Sequence, residues 1–125
     1  MNRVELVGRL TKDVEIIKFG KGDKAGKVGR CSIAVRDGVD GEGNERVQFI
    51  NFAAWNRTAE ILEGYTKKGD MVALCGKIVQ NDYEDDDGVK HYSLQVMVDN
   101  VELLPNPDRE EKEKDSKPNG KYRRG

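Results

Sequence analysis

The chain has 125 residues and a mass of 14.0 kDa, with hydrophobic and charged residues at 36% each, which predicts one small domain and a sizeable solvated portion. No run of 18 apolar residues occurs, which argues against a membrane-spanning helix. The first residues enter an alternating pattern without the regions of a signal peptide, so we expect a cytoplasmic protein whose Cys31 and Cys75 are reduced thiols.

The net charge is −1, but its distribution along the chain is uneven. Residues 1–36 carry nine Lys and Arg against four Asp and Glu, whereas residues 82–104 carry one against seven. A low net charge weakens general attraction to polyanions, yet this distribution still permits a local basic groove.

Alternation of apolar and polar residues predicts a first strand over 2–10, which continues past a kink through 14–19. Gly8 in the middle of that strand indicates a bulge or a sharp bend. The Gly- and Lys-rich residues 20–27 predict a loop, and alternation over 28–36 predicts the second strand.

Two Asp-Gly pairs within 37–45 indicate a hairpin loop that leads into a third strand over 46–55. Residues 57–65 have apolar side chains at helical spacing and predict the one short helix. Asn56 is placed to cap the N-terminus of that helix.

The remaining pattern predicts a buried strand over 70–79, a polar hairpin over 80–90 that turns at Asp87-Gly88, and a last strand over 91–104. Five mostly antiparallel strands, with one helix between the third and the fourth, predict an all-β fold of the five-stranded OB-fold barrel type over residues 1–104. Residues 105–125 are charged and almost without apolar residues, which predicts a disordered tail.

An aromatic pair on the third strand is the main candidate for a binding site. Side chains alternate between the two faces of a strand, so Phe49 and Trp55 share one face and Ile50 and Phe52 share the other. If Ile50 and Phe52 belong to the core, Phe49 and Trp55 face outward. Outward rings suit the stacking of bases of a single strand, and Tyr83 in the last hairpin could extend that face. From parity alone, packing under the helix or at a subunit interface fits these rings equally well.

Basic residues near this face could neutralise phosphates. Arg30 and Arg36 lie on the second predicted strand, and Lys77 lies on the fourth. Arg46 and Arg57 flank the third strand. Lys18 adjoins the first long loop, which holds Lys21, Lys24 and Lys27. A lone lysine is more often a solvated surface group than a phosphate contact, and four lysines around one loop raise that expectation only modestly.

Other candidate chemistry is weak. The acidic run 84–87 lacks the ligand spacing of a calcium loop and predicts a solvated turn, so no metal site is expected. His91 is the sole histidine and has no nucleophile at catalytic spacing, while Cys31 and Cys75 form no CxxC pair. We therefore expect neither catalysis nor a cofactor.

Several segments in register resemble one known family. NRVELVGRL followed by TKD at 2–13, FINFAAW at 49–55, YTKKGD at 65–70, GKI at 76–78 and the Asp-Gly turn at 87–88 are similar to segments of bacterial and phage single-stranded DNA-binding proteins. The resemblance covers about residues 2–104 in order, so it is far more specific than any one motif.

The resemblance implies an OB-fold, usually assembled as a homotetramer, around which single-stranded DNA wraps without strict sequence preference. It implies no enzymatic activity and no cofactor. The family's stacking aromatics fall on Phe49, Trp55 and Tyr83, and its backbone contacts fall on Arg57 and Lys68, with Lys18 in a loop that aligns less cleanly.

The chain also departs from this family. No aromatic occurs in 37–45, where the family often has a further stacking ring, and Asp82 occupies a position that is often basic; both changes should weaken binding. The sequence ends Lys121-Tyr122-Arg123-Arg124-Gly125 rather than in an acidic tip with a terminal Phe, which puts recruitment of replication and recombination proteins in doubt. A phage or mobile-element origin would fit such a divergent end.

The sequence therefore predicts a protein that binds and protects single-stranded DNA in replication, recombination or repair, as a homo-oligomer. Predicted phosphate contacts are Arg57, Lys68, Lys18, Arg30, Arg36 and Lys77. Two alternatives stay open: the barrel could be an oligomerisation or protein-docking module, or an OB-fold that binds RNA.

Overall fold

A computed structural model describes residues 1–105, so that only Pro105 of the predicted tail lies within the described range. No helix in this range has the length and apolar character needed to cross a bilayer. The elements are β1 (Val4–Leu10), β2 (Glu15–Phe19), a 3-10 turn (Gly22–Lys24), β3 (Gly26–Val39), β4 (Glu45–Trp55), α1 (Asn56–Tyr65), β5 (Met71–Gln80), β6 (Tyr83–Glu84), β7 (Lys90–His91) and β8 (Leu94–Leu103).

The main sheet closes on itself to form a barrel. Its strand order is β1-β5-β8-β4-β3-β2, and a further pairing of β1 with β3, Arg9 opposite Ala34, completes the ring. All neighbours are antiparallel except β4 and β8, which run parallel. With β1 and β2 taken as one bent strand, this is the predicted five-stranded OB-fold, with α1 between its third and fourth strands.

Inward-facing side chains of every barrel strand form one core. Phe52 on β4, Ile33 on β3 and Leu74 on β5 are at most 1% exposed, and Leu62 of α1 closes the end of the core. Cys31 is buried in the same core and Cys75 is half-buried, and both are free thiols, as the sequence predicted.

Gly8 does not form the bulge that its sequence position suggested. It pairs regularly with Val72 on β5, but a Cβ at this position would collide with the carbonyl oxygen of Ala34 on β3. Glycine is therefore required because two backbones approach closely where β1 closes the barrel. A register shift occurs instead where β5 pairs with β8, between Cys75 and Gly76.

The predicted capping of α1 by Asn56 is wrong. Trp55 occupies the N-cap position with extended backbone, and Asn56 has a φ of +49°, in the left-handed region that asparagine tolerates better than most residues. The Asn56 side-chain oxygen accepts a hydrogen bond of 3.0 Å from the backbone N–H of Lys27. This bond joins the start of the helix to the start of β3.

The last predicted strand is divided. β7 pairs only with β6, in a two-stranded ladder separate from the barrel, and β8 begins after Tyr92 and Ser93. The turn between β6 and β7 includes Asp87 and Gly88 as predicted, with Gly88 at a φ of +81°. The hairpin is therefore a short arm that extends from the barrel.

Candidate nucleic-acid interface

The outer face of β4 carries the two rings that the alternation pointed outward. Phe49 is 70% exposed and Trp55 is 44% exposed, whereas Phe52 is 1% exposed and Ile50 is half-buried. The predicted orientation is confirmed, and neither ring is buried under α1.

Trp55 is in contact with a second aromatic ring that the sequence analysis did not single out. In the register, Trp55 lies opposite Val28 on β3, and Val28 lies opposite Ile17 on β2. Phe19, two residues beyond Ile17, meets Trp55 edge to face, with ring centroids 5.5 Å apart at 70°. Only the cross-strand register reveals this pair, because 36 positions of sequence separate the two residues.

A shallow groove lies between the β2–β3 hairpin and the start of α1. It has a volume of about 360 Å³, and its lining includes Phe19, Lys18, Lys27, Asn56 and Glu60. Lys18 lies opposite Lys27, whose amine is 3.4 Å from Glu60. Successive residues alternate faces, so Lys18 and Lys27 share the face turned toward Glu60, whereas Phe19 contacts Trp55 and also lines the groove.

Two predicted phosphate contacts lie in one row across the outer surface. Lys77 on β5 pairs with Met97 on β8, Met97 pairs with Ala53 on β4, and Ala53 pairs with Arg30 on β3. Both cations are exposed, and neither takes part in an ion pair within residues 1–105. The row crosses β4 between Phe49 and Trp55, so the unpaired cations Arg30 and Lys77 lie on the same outer surface as the two rings.

Arg36 is close to Phe49 but is already paired. It lies opposite Val47, two residues along β4 from Phe49, and its guanidinium is 2.6 Å from the carboxylate of Glu45. In the same hairpin Arg46 lies 3.6 Å from Asp37. Exposed pairs of this kind contribute about 0–1 kcal/mol, so a phosphate can compete for either arginine.

The remaining predicted cations differ in position. Arg57 is exposed in the first turn of α1, two residues after Trp55. Lys68 lies in the loop between α1 and β5, where its backbone N–H donates a 2.8 Å hydrogen bond to Asp13. Within the described part of the chain, no contact joins Lys68 to Phe49, Trp55 or Tyr83.

Tyr83 on β6 is 56% exposed and is stacked on His91 of β7, with centroids 4.9 Å apart and planes 15° apart. His91 Nε2 lies 2.8 Å from the carboxylate of Asp85, which also accepts the backbone N–H groups of Asp87 and Val89. The hydrogen bonds from His91 and from the backbone hold the pKa of Asp85 below its ordinary value. This stack was not predicted from the sequence, because only a catalytic role was considered for His91.

The chain is similar to proteins of one known family. A profile of the Single-strand binding protein family matches residues 1–104. The single-stranded DNA-binding protein of Oceanobacillus iheyensis is 40% identical over 105 residues, which cover 83% of this chain and 63% of that protein.

Two further relatives show the same relationship. The single-stranded DNA-binding protein of Clostridium tetani is 36% identical over 83% of this chain and 70% of its own length. Single-stranded DNA-binding protein 1 of Streptococcus pyogenes is 33% identical over 86% of this chain and 82% of its own length. With the fold, the exposed rings and these matches in agreement, the chain belongs to the Single-strand binding protein family.

Proposed function

We propose that this protein binds single-stranded DNA largely without regard to sequence. The observation that carries the proposal is the exposed pair Phe49 and Trp55 on the outer face of β4, crossed by the free cations Arg30 and Lys77. Bases stack on these two rings and on Tyr83, and each stacked base contributes about 1–3 kcal/mol to the free energy of binding. Any base can stack in this way because every base has a π-face.

The phosphates are neutralised by basic residues of unequal availability. Arg30, Lys77 and Arg57 are exposed without an ion pair among the described residues, and they are the first contacts. Arg36 binds a phosphate in place of its present partner Glu45. Lys18 binds a phosphate from the groove beside Phe19. Lys68 is a peripheral contact.

Family membership supports the wider role. In this proposal residues 1–104 are the binding domain of a homotetramer that protects single-stranded DNA during replication, recombination or repair, without catalysis, in a bacterial cytoplasm or a phage-infected cell. Residues 105–125 are rich in charged residues of both signs.

Titration with oligo-dT tests the proposal directly, because Trp55 is the sole tryptophan and reports on its own site. We expect quenching of its fluorescence and a log–log salt slope of about −0.7 per neutralised phosphate. Competition with RNA oligomers of matched length and sequence measures the preference for DNA over RNA. The mass in solution gives the oligomeric state. Unchanged fluorescence and no binding would instead favour the protein-docking alternative.

The pairing of Arg36 with Glu45 leads to a separate prediction. Glu45→Gln removes the competing carboxylate, so we expect affinity for oligo-dT to rise by up to about fivefold at low salt, since an exposed pair contributes at most about 1 kcal/mol. The rise should fade at high salt.

Glu42→Gln is the matched control, because it makes the same change of charge in the same hairpin at a residue without an ion pair among those described. Equal effects of the two variants would mean that only the net charge of the hairpin matters and that Arg36 is not a contact.

A further inference from the structure

We propose that His91 is a positioning residue for DNA binding, which holds the ring of Tyr83 from one face and leaves the opposite face open to a base. The inference rests on the proposed function and adds a residue to it. Its basis is the parallel stack of the two rings, 4.9 Å between centroids and 15° between planes.

The arm that carries Tyr83 continues the β5–β8 pair, which ends at Gln80 and Leu94, and the Asn81 N–H donates a 2.8 Å hydrogen bond to the Ser93 carbonyl at its base. The β6–β7 ladder consists of the pairs Tyr83 with His91 and Glu84 with Lys90, and it is not part of the barrel sheet. Beyond this base the arm is a two-stranded hairpin, which without a further strand or a packed face is at best marginally stable in water. A ring on such an arm needs side-chain contacts to keep one orientation.

Asp85 connects the ring stack to the turn. Its Oδ1 accepts the N–H groups of Asp87 and Val89, each at 2.9 Å, and its Oδ2 lies 2.8 Å from His91 Nε2. One carboxylate therefore fixes the turn and the imidazole together, and the imidazole in turn fixes Tyr83.

The stack remains accessible to a ligand. Tyr83 is 56% exposed although His91 covers one of its faces, so the opposite face is free for a base. A base stacking there becomes the third member of the column. Because the ring is ordered before DNA arrives, less side-chain freedom is lost on binding.

A double-mutant cycle with Tyr83→Ala and His91→Ala tests the inference, with affinity for labelled oligo-dT as the readout. We expect His91→Ala to weaken binding about three- to tenfold when Tyr83 is present, in line with the strength of aromatic pairs, and less than about twofold when residue 83 is alanine. Tyr92→Ala is the matched control, because Tyr92 is an exposed neighbour on the same arm with no ring contact in residues 1–105.

Two conservative variants separate the stacking of the His91 ring from its hydrogen bond to Asp85. His91→Phe keeps a stacking ring and loses the bond to Asp85, and we expect it to recover most of the affinity lost in His91→Ala. His91→Gln keeps a donor and loses the ring, and it should resemble His91→Ala. A failure of His91→Phe to recover affinity would overturn the stacking role.

The outcomes also separate this inference from the proposed function. Equal effects of His91→Ala in both backgrounds, or no effect when Tyr83 is present, overturn the inference alone, provided that oligo-dT still quenches Trp55. Absence of any binding by the unaltered protein overturns the function and the inference together.

Discussion

Replacement of Trp55 by alanine is expected to weaken binding of oligo-dT at least about tenfold while the barrel stays folded. Stacking of a base on an aromatic ring contributes about 1–3 kcal/mol, and about 1.4 kcal/mol corresponds to tenfold in affinity. Trp55 is 44% exposed and lies outside the core, so its removal leaves no buried cavity. Stability should fall by the loss of the edge contact with Phe19, about 0.5–1.5 kcal/mol, and by the loss of the apolar surface that the partly buried indole covers.

The variant has no tryptophan, so affinity is measured by the anisotropy of a labelled oligo-dT and the fold by circular dichroism. Tyr65→Ala is a suitable control, because Tyr65 is an exposed aromatic at the end of α1, away from the outer face of β4. Trp55→Phe should keep much of the affinity. Equal binding by Trp55→Ala and the unaltered protein would exclude Trp55 from the interface.

Gly8→Ala is expected to reduce the free energy of unfolding by about 1–3 kcal/mol or more, the usual range for overpacked positions. The added methyl group would meet the backbone carbonyl of Ala34, and a backbone atom cannot move aside as the end of a side chain can. The strain falls where β1 pairs with β3 to close the barrel.

Urea unfolding measures this change, with Gly64→Ala as the matched control. Gly64 lies in α1 with open space where a Cβ would be added, so the same substitution there should raise stability by about 0.5–1 kcal/mol. A Gly8→Ala variant as stable as the unaltered protein would show that the two strands can separate there without loss.

Local periodicity was sufficient to predict much of this molecule. Alternation along β4 separated Phe49 and Trp55 from the buried Phe52, because successive side chains on a strand point to opposite faces. The single helical pattern between the third and the fourth predicted strands gave an order of elements that is typical of the OB-fold barrel. The resemblance of several motifs in register led to the family that the comparisons found.

The errors and omissions concern contacts between segments distant in sequence. Gly8 was interpreted as a bulge or a sharp bend, whereas the close approach of the β3 backbone explains why glycine is required there. Asn56 carried a capping signal, yet its side chain serves the backbone of Lys27 instead. Charge counting likewise could not distinguish the paired Arg36 from the free Arg30, because Glu45 is brought to Arg36 across the β3–β4 hairpin.

The three proposed stacking rings differ in how firmly they are held. Trp55 is braced by Phe19 and Tyr83 by His91, whereas Phe49 is 70% exposed and contacts no other ring in residues 1–105. An exposed side chain changes rotamer within picoseconds to nanoseconds. On the proposed interface Phe49 is thus the ring with the greatest freedom to change orientation, able to tilt for a bulky purine or a smaller pyrimidine, and such accommodation is one physical source of tolerance to base sequence.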